Sequence, residues 1–248
     1  MQYPPFYGGI FIYVDKPRAI VYNVIYNKGY FLENVTLAVA IRKGKIKKEI
    51  NMQIILASAS PRRREILSSV CQNFSIIVSE TDESFPGYVH PSEAVKILAE
   101  RKGRAVLDTL SGEDLFIISS DTLVELDGKP LGKPTDKADA HAMLRELSGK
   151  RHNVHTGIAV HSGGKVYSGV ATTGVYFREM TDEEIDEYIA TGEPMDKAGS
   201  YGIQGIGGKF VDKIDGDFDT VVGFSLRLFL TLAECAGARE LFCEAPIK

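Results

Sequence analysis

No stretch of this 248-residue chain approaches the roughly 20 apolar residues that a membrane-spanning helix requires. The start also lacks the succession of basic, apolar and small residues that marks a secretory signal, so the expected location is the cytoplasm. Cysteine is scarce and odd in number. Cys71, Cys235 and Cys243 have no metal-type spacing, which argues against a disulfide framework and for a reducing compartment with incidental thiols. A surplus of positive charge is missing too. At a net charge of −4 the chain has no broad basic surface for duplex nucleic acid, so any anion it binds must meet locally concentrated cations. Internal repeats are absent. What remains is ordinary globular composition, 44% apolar and 25% charged, enough for a sizeable core in one large domain or two small ones.

The stretch from Gln53 to Leu67, QIILASASPRRREIL, organises the chain. Ile54, Ile55 and Leu56 suit a short strand covered on both faces, and 57–60 supply small side chains and hydroxyls. Pro61 fits the first helical position with Ser60 as N-cap. A helix start offers unpaired N–H groups and partial positive charge, and Arg62, Arg63 and Arg64 add three cations within one turn. That combination suits a polyphosphate; from cap and charge alone, a capped surface helix with a solvated basic turn fits equally well.

Residues 1–51 differ in character. They are rich in Tyr, Ile, Val and Asn, with extended runs at 9–14, 19–26 and 35–41, and close on a basic stretch at 42–48 that reads as a solvated linker. Beyond the basic helix, a strand is expected at 74–79, followed by the acidic cluster Glu80-Thr81-Asp82-Glu83. A helix follows over Pro91–Leu107, with Lys102 late in it. A buried strand at 115–119 leads into Ser120-Asp121-Thr122, which would place Asp121 outside the strand's carboxyl end. Asp127-Gly128 marks a hairpin between 123–126 and 129–131. Thr135 or Asp136 caps a helix that Gly149 stops after Leu147. A hairpin of 154–161 with 165–170, a strand at 172–177 and a helix at 182–190 with the Thr181/Glu184 capping box follow. Residues 198–208 hold five glycines in eleven positions and read as a loop shaped by something it wraps. Short strands at 210–214 and 220–222 precede a final apolar helix over 225–236. The whole reads as an α/β fold with a long mixed β-sheet and flanking helices, in two lobes around a central cleft.

Several separated strings, in order, resemble one family. Ala57-Ser58-Ala59-Ser60-Pro61-Arg62-Arg63 is similar to the signature of the Maf proteins, nucleoside triphosphate pyrophosphatases also called septum-formation-protein homologues. Leu98-Ala99-Glu100-Arg101-Lys102, Asp121-Thr122, Gly132-Lys133-Pro134 and Ala198-Gly199-Ser200-Tyr201-Gly202-Ile203-Gln204-Gly205 resemble its later strings, and Glu83 lines up with its Asp-Glu. The likeness runs from about Met52 to Leu232. It departs at Gly223-Phe224-Ser225, where the family usually has Gly-Leu-Pro, and at Leu123, where a branched residue is more usual.

The resemblance implies a Maf/ITPase-like fold over residues 52–248. Residues 1–51 are then either an appended extension or an upstream translation that the native protein lacks. It further implies Asp121 as general base, a residue that in isolation would read as an Asx-turn or cap. Ser60, Arg62, Arg63, Lys102 and Lys133 become phosphate-binding residues. Thr122 and Gln204 become selectivity positions favouring dTTP and UTP, with CTP within range. Glu83 and Asp121 are expected to hold Mg²⁺ or Mn²⁺, since hard cations prefer carboxylate oxygens. The expected partners are the nucleotide and a second copy in a homodimer, with no nucleic acid and no membrane. The rival readings are a pyrophosphatase for modified purine nucleotides and a nucleotide-binding regulator of division without turnover.

Overall fold

The computed structural model describes residues 11–15, 18–22, 52–78, 80–112 and 114–242, and the chain divides into two units, Met1–Gln53 and Ile54–Lys248. In the first unit β1 (Phe11–Asp15) and β2 (Arg18–Tyr22) pair antiparallel, overlapping the first two extended runs expected there. The run at 35–41 and the basic stretch at 42–48 lie outside the described residues, as does Cys243.

The remaining elements, in chain order, are β3 (Gln53–Leu56), α1 (Pro61–Ser68), β4 (Ser75–Ile76), α2 (Pro91–Leu107), β5 (Leu115–Leu126), β6 (Lys129–Leu131), α3 (Lys137–Leu147), β7 (Arg151–Ser162), β8 (Lys165–Phe177), α4 (Asp182–Ala190), β9 (Val211–Asp215), α5 (Phe218–Val222) and α6 (Leu226–Cys235). The strands form one seven-stranded sheet in the order β4-β3-β5-β7-β8-β9, with β6 beside β5. β3 and β4 run parallel, whereas β5 to β9 pair antiparallel. The sheet is therefore mixed and flanked by helices, as expected. The two expected lobes do not separate as units, because Ile54–Lys248 groups as one. Among the described residues no helix is long and apolar enough to cross a membrane.

Local chemistry set the helix ends. Pro91 opens α2 and the Thr181/Glu184 capping box opens α4, each at its expected start. Asp136, not Thr135, caps α3, and Thr135 donates to Asp139 Oδ2. Four expectations need correction. Of the strand expected at 74–79, the described residues form only β4, and Ser79 lies outside them. The polar run Ser119 to Thr122 does not end a strand: β5 continues through it, paired with β7 from Phe116↔Ser162 to Glu125↔Asn153. Asp121 is thus mid-strand rather than beyond a strand end. Likewise 165–170 and 172–177 are one strand, β8. The Thr220–Val222 stretch is helical, since Asp217 at its N-cap and Gly223 at φ 115 close one short turn of α5.

Alternation along β5 divides its side chains between two faces. Leu115 and Ile117 join Val106 of α2, Ile55 and Ala57 in one cluster. Val124 and Leu126 enter a larger core with Leu144 and Leu147 of α3, Ile185 and Tyr188 of α4, Phe177 and Phe210. Helix α2 rests close on the first face because two glycines make room. A Cβ on Gly157 of β7 would lie 2.2 Å from Val95 O, and one on Gly103 2.6 Å from Ser119 Oγ. That approach carries Lys102 over the middle of β5.

Candidate active site

The turn after β3 lies beside β5, where the Ala57 N–H donates to Ile118 O at 2.7 Å. Ser60 caps α1, its Oγ accepting the Arg63 N–H at 3.4 Å, and Ser58 Oγ accepts the Ser60 N–H at 3.2 Å. The three arginines, adjacent in sequence, diverge. Arg64 is exposed and Arg62 half-exposed, with the Arg62 charge acting on Asp196. Arg63 turns inward. Its Nε donates to Gly223 O at 2.9 Å, Nη1 to Ser120 O at 2.7 Å and to Ser58 Oγ at 3.4 Å, and Nη2 to Thr122 Oγ1 at 3.2 Å. A guanidinium has five N–H donors, and among the described residues one on Nη2 has no hydrogen-bond partner. Burial pushes the Arg63 guanidinium below its ordinary value, opposed chiefly by the charge of Asp121. Thr122 Oγ1 also lies 3.0 Å from Thr156 Oγ1, which donates to Thr220 O at 2.7 Å.

Asp121, next in the strand, points to the opposite face, toward α2. It is 8% exposed. Lys102 Nζ donates to Asp121 Oδ1 at 2.5 Å and lies 2.7 Å from Glu83 Oε1. One ammonium thus bridges two carboxylates and leaves the trio with a net negative charge. Glu83 stands on the segment 80–90, which two tethers hold. Arg101 Nη1 donates to the carbonyls of Asp82 at 3.0 Å and Ser84 at 2.9 Å, and its guanidinium lies 4.9 Å from the centre of the Phe85 ring. Further along, Tyr88 Oη donates to Gly128 O at 2.9 Å.

As a metal site this trio offers two hard oxygen donors. Among the described residues no group of three or more His, Cys, Asp or Glu is arranged as a cage. Two carboxylates fit an ion such as Mg²⁺, which is usually held by one or two carboxylates and completes its shell with substrate phosphates and water.

The glycine-rich segment is held to the fold at several points. Tyr201 and Ser200 are buried, and the Gly199 N–H donates to Gly132 O at 3.0 Å, joining this segment to the residue before Lys133. What the loop wraps is Glu193. Its Oε1 accepts from Tyr188 Oη at 2.8 Å and the Gly207 N–H at 3.1 Å, and its Oε2 accepts the Ile206 N–H at 2.9 Å. Tyr188 Oη accepts in turn from the Gly202 N–H at 3.2 Å. Gln204 rides exposed on the turn between these anchors.

The structure therefore gathers Glu83, Lys102 and Asp121 on one side of β5, and Ser60, Arg63 and Thr122 around the turn on the other. Lys133 and Gln204 are exposed and, among the described residues, make no hydrogen bond to the Asp121 group. Sequence reasoning missed Glu193, Tyr188, Thr156, Arg101 and the Gly223 carbonyl. Glu193 carried a signal in Glu193-Pro194 just before the glycine string; a backbone carbonyl carries none. Also missed was a buried pair on β5 and β7, where His155 Nε2 lies 3.1 Å from Glu125 Oε2. Burial pushes the Glu125 carboxyl up, but hydrogen bonds from Asn153, the Gly128 N–H and His155 outweigh it and bring it down to about 2. Glu125 Oε1, accepting the Gly128 N–H at 2.7 Å, closes the β5–β6 turn.

Comparison with known proteins identifies the family. Residues 53–235 match the family model described as Maf-like protein. A Thermococcus gammatolerans protein named dTTP/UTP pyrophosphatase is 48% identical over 181 residues, covering 73% of this chain and 95% of that protein. Proteins of the same name from Bacillus cytotoxicus and Bacillus anthracis are each 48% identical over 174 residues, covering 70% of this chain and 90% of theirs. With the basic turn, the Lys102–Asp121 pair and the glycine loop all within the matched span, the chain belongs to the Maf family.

Proposed function

We propose that this protein hydrolyses nucleoside triphosphates, dTTP and UTP foremost and CTP within range, to the nucleoside monophosphate and pyrophosphate. The observation that carries the reading is the buried Asp121 carboxylate held by Lys102 across from Glu83. The names of the relatives support the substrate class. The triphosphate is met by the start of α1 with Ser60, by Arg62, by the remaining Arg63 donor and by Lys133, which together offset its charge. Ionised Asp121 accepts the proton of a water that attacks the α-phosphorus, and Lys102 keeps the carboxylate aimed at that water. Glu83 and Asp121 would hold Mg²⁺ or Mn²⁺, which when bound offsets charge on the phosphate oxygens. The base is read by Gln204, which offers a donor and an acceptor, and Thr122 contributes to selectivity by fixing Arg63. The protein works in the cytoplasm on free nucleotide, without nucleic acid or membrane, and as a homodimer; the last point rests on the family resemblance alone.

The test is pyrophosphate release from a panel of pyrimidine, purine and modified purine triphosphates, with and without Mg²⁺ or Mn²⁺. Release from dTTP and UTP that needs the cation, and falls by about 10²- to 10⁴-fold in Asp121→Asn, is the expected result. Tight nucleotide binding without release would overturn catalysis in favour of a sensor. Preference for modified purines would overturn the substrate assignment.

A further inference from the structure

Glu83 occupies an unusual place for a residue asked to hold a cation. Its side chain is 60% exposed, and it lies between β4, which ends at Ile76, and α2, which begins at Pro91, with no helix or strand of its own. A carboxylate on such a segment has many accessible directions, and fixing one costs conformational entropy. Something must narrow them.

Arg101 is placed to do so. Its Nη1 donates to the carbonyls of Asp82 and Ser84, the two residues flanking Glu83, while its guanidinium faces the Phe85 ring. Asp82 Oδ1 accepts the Ser84 N–H at 2.9 Å, closing an Asx-turn about the same residue. Successive residues of α2 thus divide the task. Arg101 takes the backbone on either side of Glu83, and Lys102 takes its carboxylate and delivers it to Asp121. Arginine suits this place because its planar head can donate twice and face an aromatic ring at once, which an ammonium cannot do in the same geometry.

We propose that Arg101 is a positioning residue for the reaction: by gripping the carbonyls on both sides of Glu83 it holds that carboxylate beside Asp121, ready for the divalent cation. The inference rests on the reading of Glu83 as a cation-holding residue. Among the described residues Arg101 makes no hydrogen bond to Asp121; its donations go to Asp82 O and Ser84 O.

The experiment compares wild type, Arg101→Met, Arg101→Lys, Glu83→Gln and the Arg101→Met/Glu83→Gln double variant. Activity is titrated with Mg²⁺, and amide hydrogen exchange over residues 80–90 is measured on the cation-free proteins. Arg101→Met is expected to raise the Mg²⁺ concentration for half-activity, or lower kcat, by about tenfold, as loss of an outer partner of a metal ligand does. Nucleotide KM should stay within about twofold of wild type, because a positioning loss falls on kcat and on the cation response rather than on substrate binding. Exchange around Glu83 should quicken with the thermal midpoint unchanged, and Arg101→Lys should fall between. In the Glu83→Gln background the same change should add less than about twofold, since the two residues act as one unit. Full additivity, or wild-type activity and exchange in Arg101→Met beside an impaired Glu83→Gln, would overturn the grip. A Glu83→Gln enzyme with wild-type turnover and cation response would instead overturn the reading of Glu83, and with it the catalytic consequence of a grip that exchange still detects.

Discussion

Lys102 Nζ lies 2.5 Å from Asp121 Oδ1, joining the second-last turn of α2 to the middle of β5. The contact depends on how deeply α2 sits on the sheet. Gly157, the cross-strand neighbour of Asp121, leaves room for the Val95 carbonyl where a Cβ would lie 2.2 Å from it. The ion pair is therefore a consequence of backbone packing as much as of charge.

Gly157→Ala is expected to displace α2, because the clashing atom is backbone and cannot rotate aside. Overpacking of this kind costs roughly 1–3 kcal/mol. Urea unfolding should show that loss, and turnover should fall with it as Lys102 is drawn away from Asp121. Wild-type values for both would mean that α2 does not rest on Gly157.

Arg63→Lys is expected to be damaging although charge is kept. A single ammonium cannot replace donations to Gly223 O, Ser120 O, Ser58 Oγ and Thr122 Oγ1 from one planar head. Gly223 O would keep its donation from Ser120 Oγ, but the carbonyl of Ser120 would lose its Arg63 donor, a loss of about 1–3 kcal/mol where the shorter ammonium does not reach it. Chemical denaturation gives the stability change, and the ratio of kcat/KM between dTTP and a purine triphosphate reports whether the Thr122 side of the turn has shifted. Unchanged stability would contradict the inward role of this arginine.

Glu193→Gln keeps the shape but turns one oxygen into an N–H₂ that faces donors. The hydroxyl of Tyr188 and the N–H groups of Ile206 and Gly207 cannot all be satisfied by an amide. The loop should loosen, with faster hydrogen exchange over residues 202–208 and a lower kcat/KM for dTTP. Gly205→Ala should act alike, since its Cβ would lie 2.5 Å from both Glu193 carboxylate oxygens. A rigid loop in both variants would show that Glu193 does not shape it.

His152 gives the fold a pH response. It is 1% exposed, with Nε2 2.9 Å from Tyr201 Oη, and burial, aided by the Arg151 charge, pushes its imidazole down to about 4 from 6.5. The unfolded chain thus takes up a proton below pH 6.5 that the folded protein refuses until about pH 4. Stability should be full above that window and fall on acidification through it, by a total on the order of 3 kcal/mol at about 1.4 kcal/mol per unit. His161, also pushed down by burial, adds in the same direction. Unfolding free energies measured from pH 7 to 4 should fall less steeply in His152→Gln than in wild type; equal slopes would remove His152 as the cause.

Helix boundaries were legible where short-range chemistry decides them. Pro91 and the Thr181/Glu184 pair announce α2 and α4 through interactions within one turn. The strands were less legible. Ser119, Ser120 and Asp121 break the apolar pattern that a buried strand normally shows, yet all three are buried. Their partners come from elsewhere: Ser119 donates to Ala99 O, Ser120 to Gly223 O, and Asp121 accepts from Lys102. A polar strand centre is stable only once those partners have been brought to it.

The amino-acid order alone determined the capped basic turn at Ser60–Arg64, the main helices and the set of residues shared with the Maf family, but not that β5 runs on through Asp121 and Thr122 and sends them to opposite sides. Only the tertiary structure decided that Arg63 turns inward, that the glycine string is wound about Glu193, and that Lys102 joins Glu83 to Asp121. The physical reason is distance along the chain. Caps act over a few neighbouring residues, whereas Arg63 meets Gly223 across 160 positions and Lys102 meets Asp121 only after α2 has settled onto the sheet at Gly157, with its own Gly103 making room.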